Sequence, residues 1–498
     1  MTKFQKHDDI LELLLQKHPQ LDLSCGGRGQ CGKCRLQVTK GFLPVTDAEG
    51  KLLSKVQLAQ GIRLACEHRN CEAAIEGELL HEQRDMQIVG VEELHLAGHY
   101  EEGCVLAVDI GTTTVVLVLL DLQTGNVLLE KSFLNPQRRY GSDVISRIQH
   151  AHEKGPTLLQ ELLLKGLRAQ LKAVENKDIR RMCVCGNAVM THLFLGIDPI
   201  PLAAAPYECV QKELVICSSK QFFPDFIPEF EIQVLPPISA YVGSDILMGI
   251  YAQDMEKTKQ SSLLLDLGTN GELALYHEGM LSVSSAACGP AFEGGNMSCG
   301  CGAVTGAVSE VRWENGFRLQ TIHDGKPVGI CGSGYLSLIS CLLTASLLDV
   351  SGYLNQQVTL FDGLLLTQKD VREFQLAKAA IAAALERVCA GAQCSYEQIE
   401  AVYSCRRLWP ASACRGSVYN RILPTALKQA VRISGNTALK GCCRYALEQN
   451  RTRMELLCKK GHCILLASIP AFRMRLSHIC CWNHSHKKTH RSFPHKML

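Results

Sequence analysis

Apolar and polar positions alternate in blocks along this chain, and one block pattern occurs twice. Residues 105–121 read V-L-A-V-D-I-G-T-T-T-V-V-L-V-L-L-D. An apolar run ends at Asp109, turns through Gly111, Thr112, Thr113 and Thr114, and resumes as a second run, which predicts a hairpin. Residues 263–275, L-L-L-D-L-G-T-N-G-E-L-A-L, repeat the arrangement, with Asp266 ahead of Gly268, Thr269, Asn270 and Gly271. Small residues at such a tip offer N–H and hydroxyl donors to phosphate oxygens, and the carboxylate can hold hydrated Mg²⁺. One hairpin of this kind is only moderately specific, because many carry Gly and Thr at the tip. Two of them, far apart, predict a duplicated fold whose two lobes face one nucleotide. A third apolar block, residues 328–348, is long enough to span a bilayer. It opens on Gly329, Gly332, Ser333 and Gly334, so it reads as a buried loop and helix instead.

The 498 residues allow two to four domains, and 46% hydrophobic with 20% charged residues is ordinary for a soluble globular chain. A formal charge of +3 creates no field that selects nucleic acid or membrane. The first nine residues are polar and charged, unlike a secretory signal, so a cytoplasmic location is expected. In that setting 25 cysteines argue for metal binding or reduced buried thiols, not disulfides. Cys183 and Cys185 lie in apolar runs and read as small core residues. His192, also in an apolar run, reads as a satisfied core histidine.

Residues 24–38 differ from the other cysteine-bearing stretches. They read S-C-G-G-R-G-Q-C-G-K-C-R-L-Q-V, which spaces Cys25, Cys31 and Cys34 as C-x5-C-x2-C; Cys66 follows in R-L-A-C. A [2Fe–2S] cluster needs four converging thiolates. Gly26, Gly27, Gly29 and Gly32 let a loop wrap around it and aim N–H groups at its negative charge. Zinc sites more often show two short C-x2-C pairs, and Cys66 with Cys71 is too loose for a second. Cys71 is therefore read as non-ligating.

This loop resembles plant-type and adrenodoxin-like ferredoxins, with C-x5 in place of C-x4. Residues 11–16 match the helix such domains carry, but only residues 1–7 are present for the usual opening β-hairpin, so a shortened first strand is expected. The paired hairpins resemble the actin, sugar-kinase and heat-shock ATPase fold. Further motifs narrow the resemblance: N-P-Q-R-R-Y-G-S-D-V-I-S-R-I (135–148), C-G-N-A-V-M-T-H-L-F-L-G (185–196), A-C-G-P-A-F-E-G-G (287–295), G-I-C-G-S-G-Y (329–335) and T-Q-K-D-V-R-E-F-Q-L-A-K-A-A-I (367–381). In this order, behind a ferredoxin, they resemble the reductive activators of corrinoid proteins over most of residues 8–403.

The resemblance implies an α+β ferredoxin (β-grasp) domain followed by a two-lobed α/β actin-like (ASKHA, RNase H-like) ATPase domain. Its expected divisions are 1–82 ferredoxin, 83–103 linker, 104–250 first lobe, 251–403 second lobe and 404–498 an altered C-terminal part. It implies a [2Fe–2S] cluster on Cys25, Cys31, Cys34 and Cys66, and ATP with Mg²⁺. Asp109, Gly111, Thr112 and Thr113 would form one phosphate loop, Asp266, Gly268, Thr269 and Asn270 the other, with Gly332, Ser333 and Gly334 bordering the nucleotide. The implied activity is ATP-dependent one-electron reduction of Co(II) to Co(I) in a corrinoid protein, fed by an external low-potential reductant. A homodimer is compatible with it; nucleic acid and membrane are not expected partners. The competing readings are an ATP-gated donor to another low-potential enzyme and a decayed relative that only carries the cluster.

The last part departs from the family. Where a glycine-rich adenosine loop, L-A-G-G-F-G, is expected, residues 404–409 read S-C-R-R-L-W. Written TCT-TGC-CGG-CGG-CTT-TGG-CC and read one base later, those residues become L-A-G-G-F-G. Family-like sequence returns from Ile422, then is lost after Phe472; a two-base shift there restores D-A-F-V-T-Y-M-L-L. Two shifted stretches, 404–421 and 473–498, are therefore expected, with an intact ATPase depending on them. The bland alternative is a basic, His-rich binding tail.

Overall fold

The structure is a computed structural model and describes residues 1–18, 21, 23, 26–29, 32–80, 101–141, 143–268, 270–293, 297–361, 364–405 and 423–464. The N-terminal unit contains β1 (Thr2–Phe4), α1 (Ile10–Lys17), β2 (Arg35–Lys40), α2 (Asp47–Leu52), α3 (Lys55–Ala59), β3 (Ile62–Leu64) and β4 (Ile75–Leu79). Its sheet runs β1-β4-β2-β3, with β1 antiparallel to β4. Thus a single short strand occupies the place of the expected opening hairpin. Asp9 caps α1, accepting from the Glu12 N–H at 2.9 Å, and Ile10, Leu11 and Leu14 turn inward onto Leu36, Leu64 and Ile75.

Two six-stranded sheets form the centre of the rest. The first comprises β5 (Cys104–Ile110), β6 (Thr114–Asp121), β7 (Val127–Leu134), β8 (Ile179–Gly186), β9 (Val215–Ser218) and β10 (Glu231–Val234), in the order β7-β6-β5-β8-β10-β9. Around it lie α4 (Val144–Lys154), α5 (Thr157–Leu171), α6 (Ala188–Leu195), α7 (Ile200–Ala203) and α8 (Ser244–Ala252). The second sheet contains β11 (Ser262–Leu267), β12 (Gly271–His277) and β13 (Met280–Ala286). Beyond them come a three-stranded sheet of β14 (Ala307–Trp313), β15 (Phe317–Thr321) and β16 (Gly329–Ile330), then α9 (Gly332–Thr344), and the ribbon β17 (Val358–Phe361) and β18 (Leu364–Leu366). The chain then forms α10 (Gln368–Gly391), β19 (Ala401–Ser404), β20 (Val431–Ile433), α11 (Thr437–Glu448), α12 (Arg451–Lys460) and β21 (Gly461–Cys463). The second sheet runs β20-β19-β11-β12-β13-β21.

Strand β5 is apolar throughout because both its faces are covered. Leu106, Val108 and Ile110 pack with α5 and α6, while Val105 and Ala107 point into a core shared with α8, α11 and Leu264, Ala274 and Val283 of the second sheet. That shared core joins the lobes. It rests on a close helix crossing, since a Cβ on Gly441 of α11 would overlap the Met248 carbonyl of α8. Arg444 and Arg453 reinforce it, each 2.8 Å from a carboxylate oxygen of Asp254.

The apolar 328–348 block becomes β16 and α9, and among the described residues no helix is long and apolar enough to cross a membrane. The expectation for 404–498 divides. Ser404 ends β19, and just beyond it the Cys405 N–H donates to the Leu265 carbonyl at 3.0 Å. Residues 423–464 build part of the core, and 406–422 and 465–498, carrying most of both expected shifted stretches, lie outside the described residues.

Candidate functional site

Strands β2 and β3 pair with Arg35 opposite Leu64, and the Ala65 N–H donates to the Cys34 carbonyl at 2.8 Å. This register brings Cys34 and Cys66 to neighbouring positions, both buried. Gly26, Gly27, Gly29 and Gly32 all take φ between +62° and +75°, so the loop turns repeatedly in a region that side chains avoid. It also lies close to the 66–69 segment: a Cβ on Gly29 would overlap the Glu67 carboxylate, and one on Gly27 would lie 2.8 Å from Arg69 Nη2. Cys25 and Cys31 lie outside the described residues, and among the described residues no three metal-ligating side chains converge. Two buried thiols beside a left-handed glycine loop fit a [2Fe–2S] cluster. Cys71 has its Sγ 2.8 Å from the Ala73 carbonyl and its backbone paired with His7 and Asp8.

Glu49 was not legible as part of this region. It is fully buried and accepts from the Leu64 N–H at 2.6 Å, His68 Nε2 at 2.9 Å and the Thr46 N–H at 3.0 Å. Burial alone would raise its pKa, but the hydrogen bonds from His68, Leu64 and Thr46 hold it below the usual carboxylate range. The sequence shows only its part in a capping box with Thr46. Its second part, fixing the strand that leads into Cys66, depends on contacts made by the fold.

The first tip is closed by the Gly111 N–H donating to the Thr114 carbonyl at 2.9 Å. Asn135 Nδ2 donates to the Gly111 carbonyl at 2.9 Å, and Asn187 Nδ2 to Thr112 Oγ1 at 3.0 Å. Thr113 Oγ1 donates across to Glu293 of the second lobe at 3.3 Å. In the second hairpin the Gly268 N–H bonds the Asn270 carbonyl at 2.9 Å; Thr269 is outside the described residues. Gly271 takes glycine because a Cβ there would overlap Ile381.

A further carboxylate, Asp245 at the start of α8, lies under the electrostatic influence of both Asp109 and Asp266. Burial first, then the charges of Asp109 and Asp266, push its pKa up to about 7. Asn436 Nδ2 reaches Asp109 Oδ2 at 3.2 Å from the loop before α11. Asp245 thus feels the charge of both hairpin carboxylates and Asn436 bonds one of them, and no motif announced either residue. Gly332, Ser333 and Gly334 open α9 as helical residues, and a Cβ on Gly334 would overlap the Val308 carbonyl. Close packing, not a tight turn, sets the glycine at 334.

The core assignments are equally concrete. His192 is fully buried, its Nδ1 2.7 Å from the Ala188 carbonyl, while its Nε2 accepts from the Val210 and Gln211 N–H groups. Burial lowers its pKa, so the ring is held neutral. Cys183 and Cys185 are wholly buried, and burial raises both thiols.

Known proteins match this arrangement along most of the chain. Residues 2–71 match the 2Fe-2S iron-sulfur cluster binding domain, 104–258 the RACo middle region, and 260–493 the C-terminal domain of RACo, the ASKHA domain. The corrinoid activation enzyme RamQ of Eubacterium limosum is 34% identical over 318 residues, 55% of this chain and 53% of that protein. A Co(II) methylated amine-specific corrinoid protein reductase of Methanosarcina barkeri is 28% identical over 335 residues, 60% of this chain and 62% of the relative. The chain thus matches between half and two thirds of the length of these curated relatives. A solved structure described as a reductive activator for corrinoid, iron-sulfur protein superposes with a TM-score of 0.67 at 24% identity, covering 96% of both chains, which shows the fold. Ferredoxin unit, middle region and ASKHA domain occur here in one chain and in that order, which is the domain organisation that the RACo models describe.

Proposed function

We propose that this protein returns a corrinoid protein from Co(II) to Co(I) with one electron, at the expense of ATP. The observation that carries the reading is the presence, in one chain, of a buried-thiol glycine loop and of two Asp-Gly hairpins, the first of which reaches Glu293 of the second lobe through Thr113. The relatives described as corrinoid-activating proteins give the partner its chemical class. Cys25, Cys31, Cys34 and Cys66 hold the cluster, which when bound supplies single electrons near roughly −400 mV. An electron moved ~200 mV uphill costs about 4.6 kcal/mol, which ATP covers and the cluster alone does not.

The chain's own residues contribute holding and closure. Gly111, Thr112 and Thr113 face one side of the phosphates, and Gly268, Thr269 and Asn270 the other. Asp109 and Asp266 bind the waters of a hydrated Mg²⁺, with Asp245 beside them. Gly332, Ser333 and Gly334 border the nucleotide. Electron transfer needs no nucleophile, and the protein takes its electron from an external low-potential donor, in the cytoplasm. The sequence S-C-R-R-L-W at 404–409 favours a second reading, an electron carrier without nucleotide gating.

The test is Co(I) absorbance after mixing reduced, cluster-loaded protein with a Co(II) corrinoid protein, with and without MgATP. ATP-dependent Co(I) formation is expected. A normal cluster with no MgATP binding and no Co(I) would select the second reading.

A further inference from the structure

Residues 135–147 touch both candidate sites. Toward the phosphate hairpin, Asn135 Nδ2 holds the Gly111 carbonyl, the Asn135 N–H donates to the Thr113 carbonyl at 2.9 Å, and Arg147 Nη2 donates to the Thr112 carbonyl. Toward the ferredoxin unit, Arg28 Nη2 donates to Ser146 Oγ at 2.7 Å and Arg139 Nη2 to the Leu15 carbonyl at 3.3 Å. Gly26 backs onto the same stretch: a Cβ there would lie 3.5 Å from the Gly141 nitrogen and the Tyr140 carbonyl carbon. Arg28 and Gly26 belong to the loop that runs between Cys25 and Cys31.

One side chain connects the two contacts. Arg147 is completely buried, and besides Thr112 it serves the Gly141 carbonyl through Nε at 3.0 Å and Gln137 Oε1 through Nη1 at 3.2 Å. A single buried guanidinium thus holds the phosphate tip at Thr112 and the seat of the cluster loop at Gly141. Moving either carbonyl alone would leave a buried charged donor unpaired, which the interior penalises. Gly141 has φ +157°, and a Cβ there would lie 2.5 Å from Ser146 Cβ, so the seat is as closely packed as the tip.

We propose that Arg139, Tyr140, Gly141 and Ser146 form a docking seat for Gly26 and Arg28 of the cluster-bearing loop of the same chain, and that Arg147 makes seating and nucleotide binding compete. The direction follows from the bonds in place. Thr112 and Thr113 hydroxyls are engaged by Asn187 and Glu293, and the Thr112 carbonyl by Arg147. A phosphate oxygen at this tip is an acceptor that competes with the Thr112 and Gly141 carbonyls for the Arg147 guanidinium, and drawing that guanidinium toward phosphate loosens the seat of the loop. Coupling between two sites is reciprocal, so a loosened seat favours nucleotide by the same factor that nucleotide loosens the seat. The released loop is then free to approach the corrinoid partner. This inference rests on the proposed cluster and nucleotide sites.

Hydrogen exchange by mass spectrometry on the cluster-loaded full chain, with and without MgAMPPNP, tests it. Nucleotide should slow exchange at 110–114 and 264–268 and speed it about fivefold or more at 26–29 and 139–146. Ser146→Ala and Arg28→Ala, checked for unchanged cluster absorbance, should bind MgAMPPNP more tightly by a similar factor. Arg147→Gln should remove the effect of nucleotide on 26–29. Protection at 110–114 with unchanged or slower exchange at 26–29 overturns the coupling and leaves the nucleotide site standing. Unaltered MgAMPPNP affinity in both surface variants overturns it as well. No protection at either hairpin overturns the nucleotide site and the coupling together.

Discussion

Asp109 and Asp266 announce themselves in the sequence because each ends an apolar run ahead of a glycine tip. Asp245 does not, since it opens a helix in G-S-D-I-L-M-G-I and meets the other two only after both lobes fold. The charges of Asp109 and Asp266 disfavour the ionised form of Asp245, so this arrangement is held at a cost in stability. Asp245→Asn should raise the melting temperature of the nucleotide-free protein and weaken MgAMPPNP binding about tenfold, or about 1.4 kcal/mol. Thermal unfolding and a binding titration check the pair; unaltered affinity would remove Asp245 from the site. At the thiol site, Cys66→Ser should lose the charge-transfer absorbance of the cluster and Cys71→Ser should keep it, because Cys71 is bound into the β1 end of the unit. The reverse result would exchange their assignments. His192 adds a pH term. Its folded pKa lies below the ordinary imidazole value, so the unfolded chain binds more protons. Its contribution is present above the unfolded pKa and is lost as pH falls through the folded one. Denaturant titrations below about pH 6.5 should show a shallower acid decline in His192→Gln than in the wild-type chain.

At the scale of elements, local pattern was sufficient where one segment completes a unit. Both hairpins, α1 and the loop-helix at 328–348 follow from apolar runs and their glycine interruptions. It was insufficient where an element is defined by its partner. Helix α11 carries T-A-L-K-G-C-C-R-Y-A-L-E, a sequence that gives no sign of lying between two sheets. What places it there is Gly441 against the Met248 carbonyl, an approach made across almost two hundred residues. Gly441→Ala should therefore destabilise the ATPase part by ~1–3 kcal/mol, the usual range for overpacking, although alanine is the better helix former. Urea unfolding followed by far-UV circular dichroism measures it, and wild-type stability would mean that α8 and α11 do not cross closely. The same packing shows that residues 423–464 are structural members of the fold, whatever the reading of the sequence on either side.

At the scale of the molecule, two chemistries are built on separate cores. The ferredoxin unit closes on Phe4, Leu36, Leu64 and Ile75, with no member drawn from the ATPase lobes, while the nucleotide hairpins stand on the cores around α8, α9 and α11. Each proposed site is marked in the sequence by itself, one by four cysteines with glycines and the other by two repeated tips. Their meeting along 135–147 was not, because Arg28 and Ser146 are 118 positions apart and neither residue type marks an interface. Separate cores predict separable losses. Asp109→Asn with Asp266→Asn should abolish MgATP binding while leaving cluster absorbance and cluster content at wild-type levels. Cys34→Ser with Cys66→Ser should abolish the cluster while retaining MgATP binding, tightened by no more than the roughly fivefold coupling that a loosened seat allows. Neither double variant should produce Co(I), and mixing the two should not restore it if the electron and the gating must belong to one chain. Restored Co(I) in the mixture would mean that a ferredoxin unit can serve the lobes of a second molecule, and the seat at 139–147 would then be open to a loop from another copy.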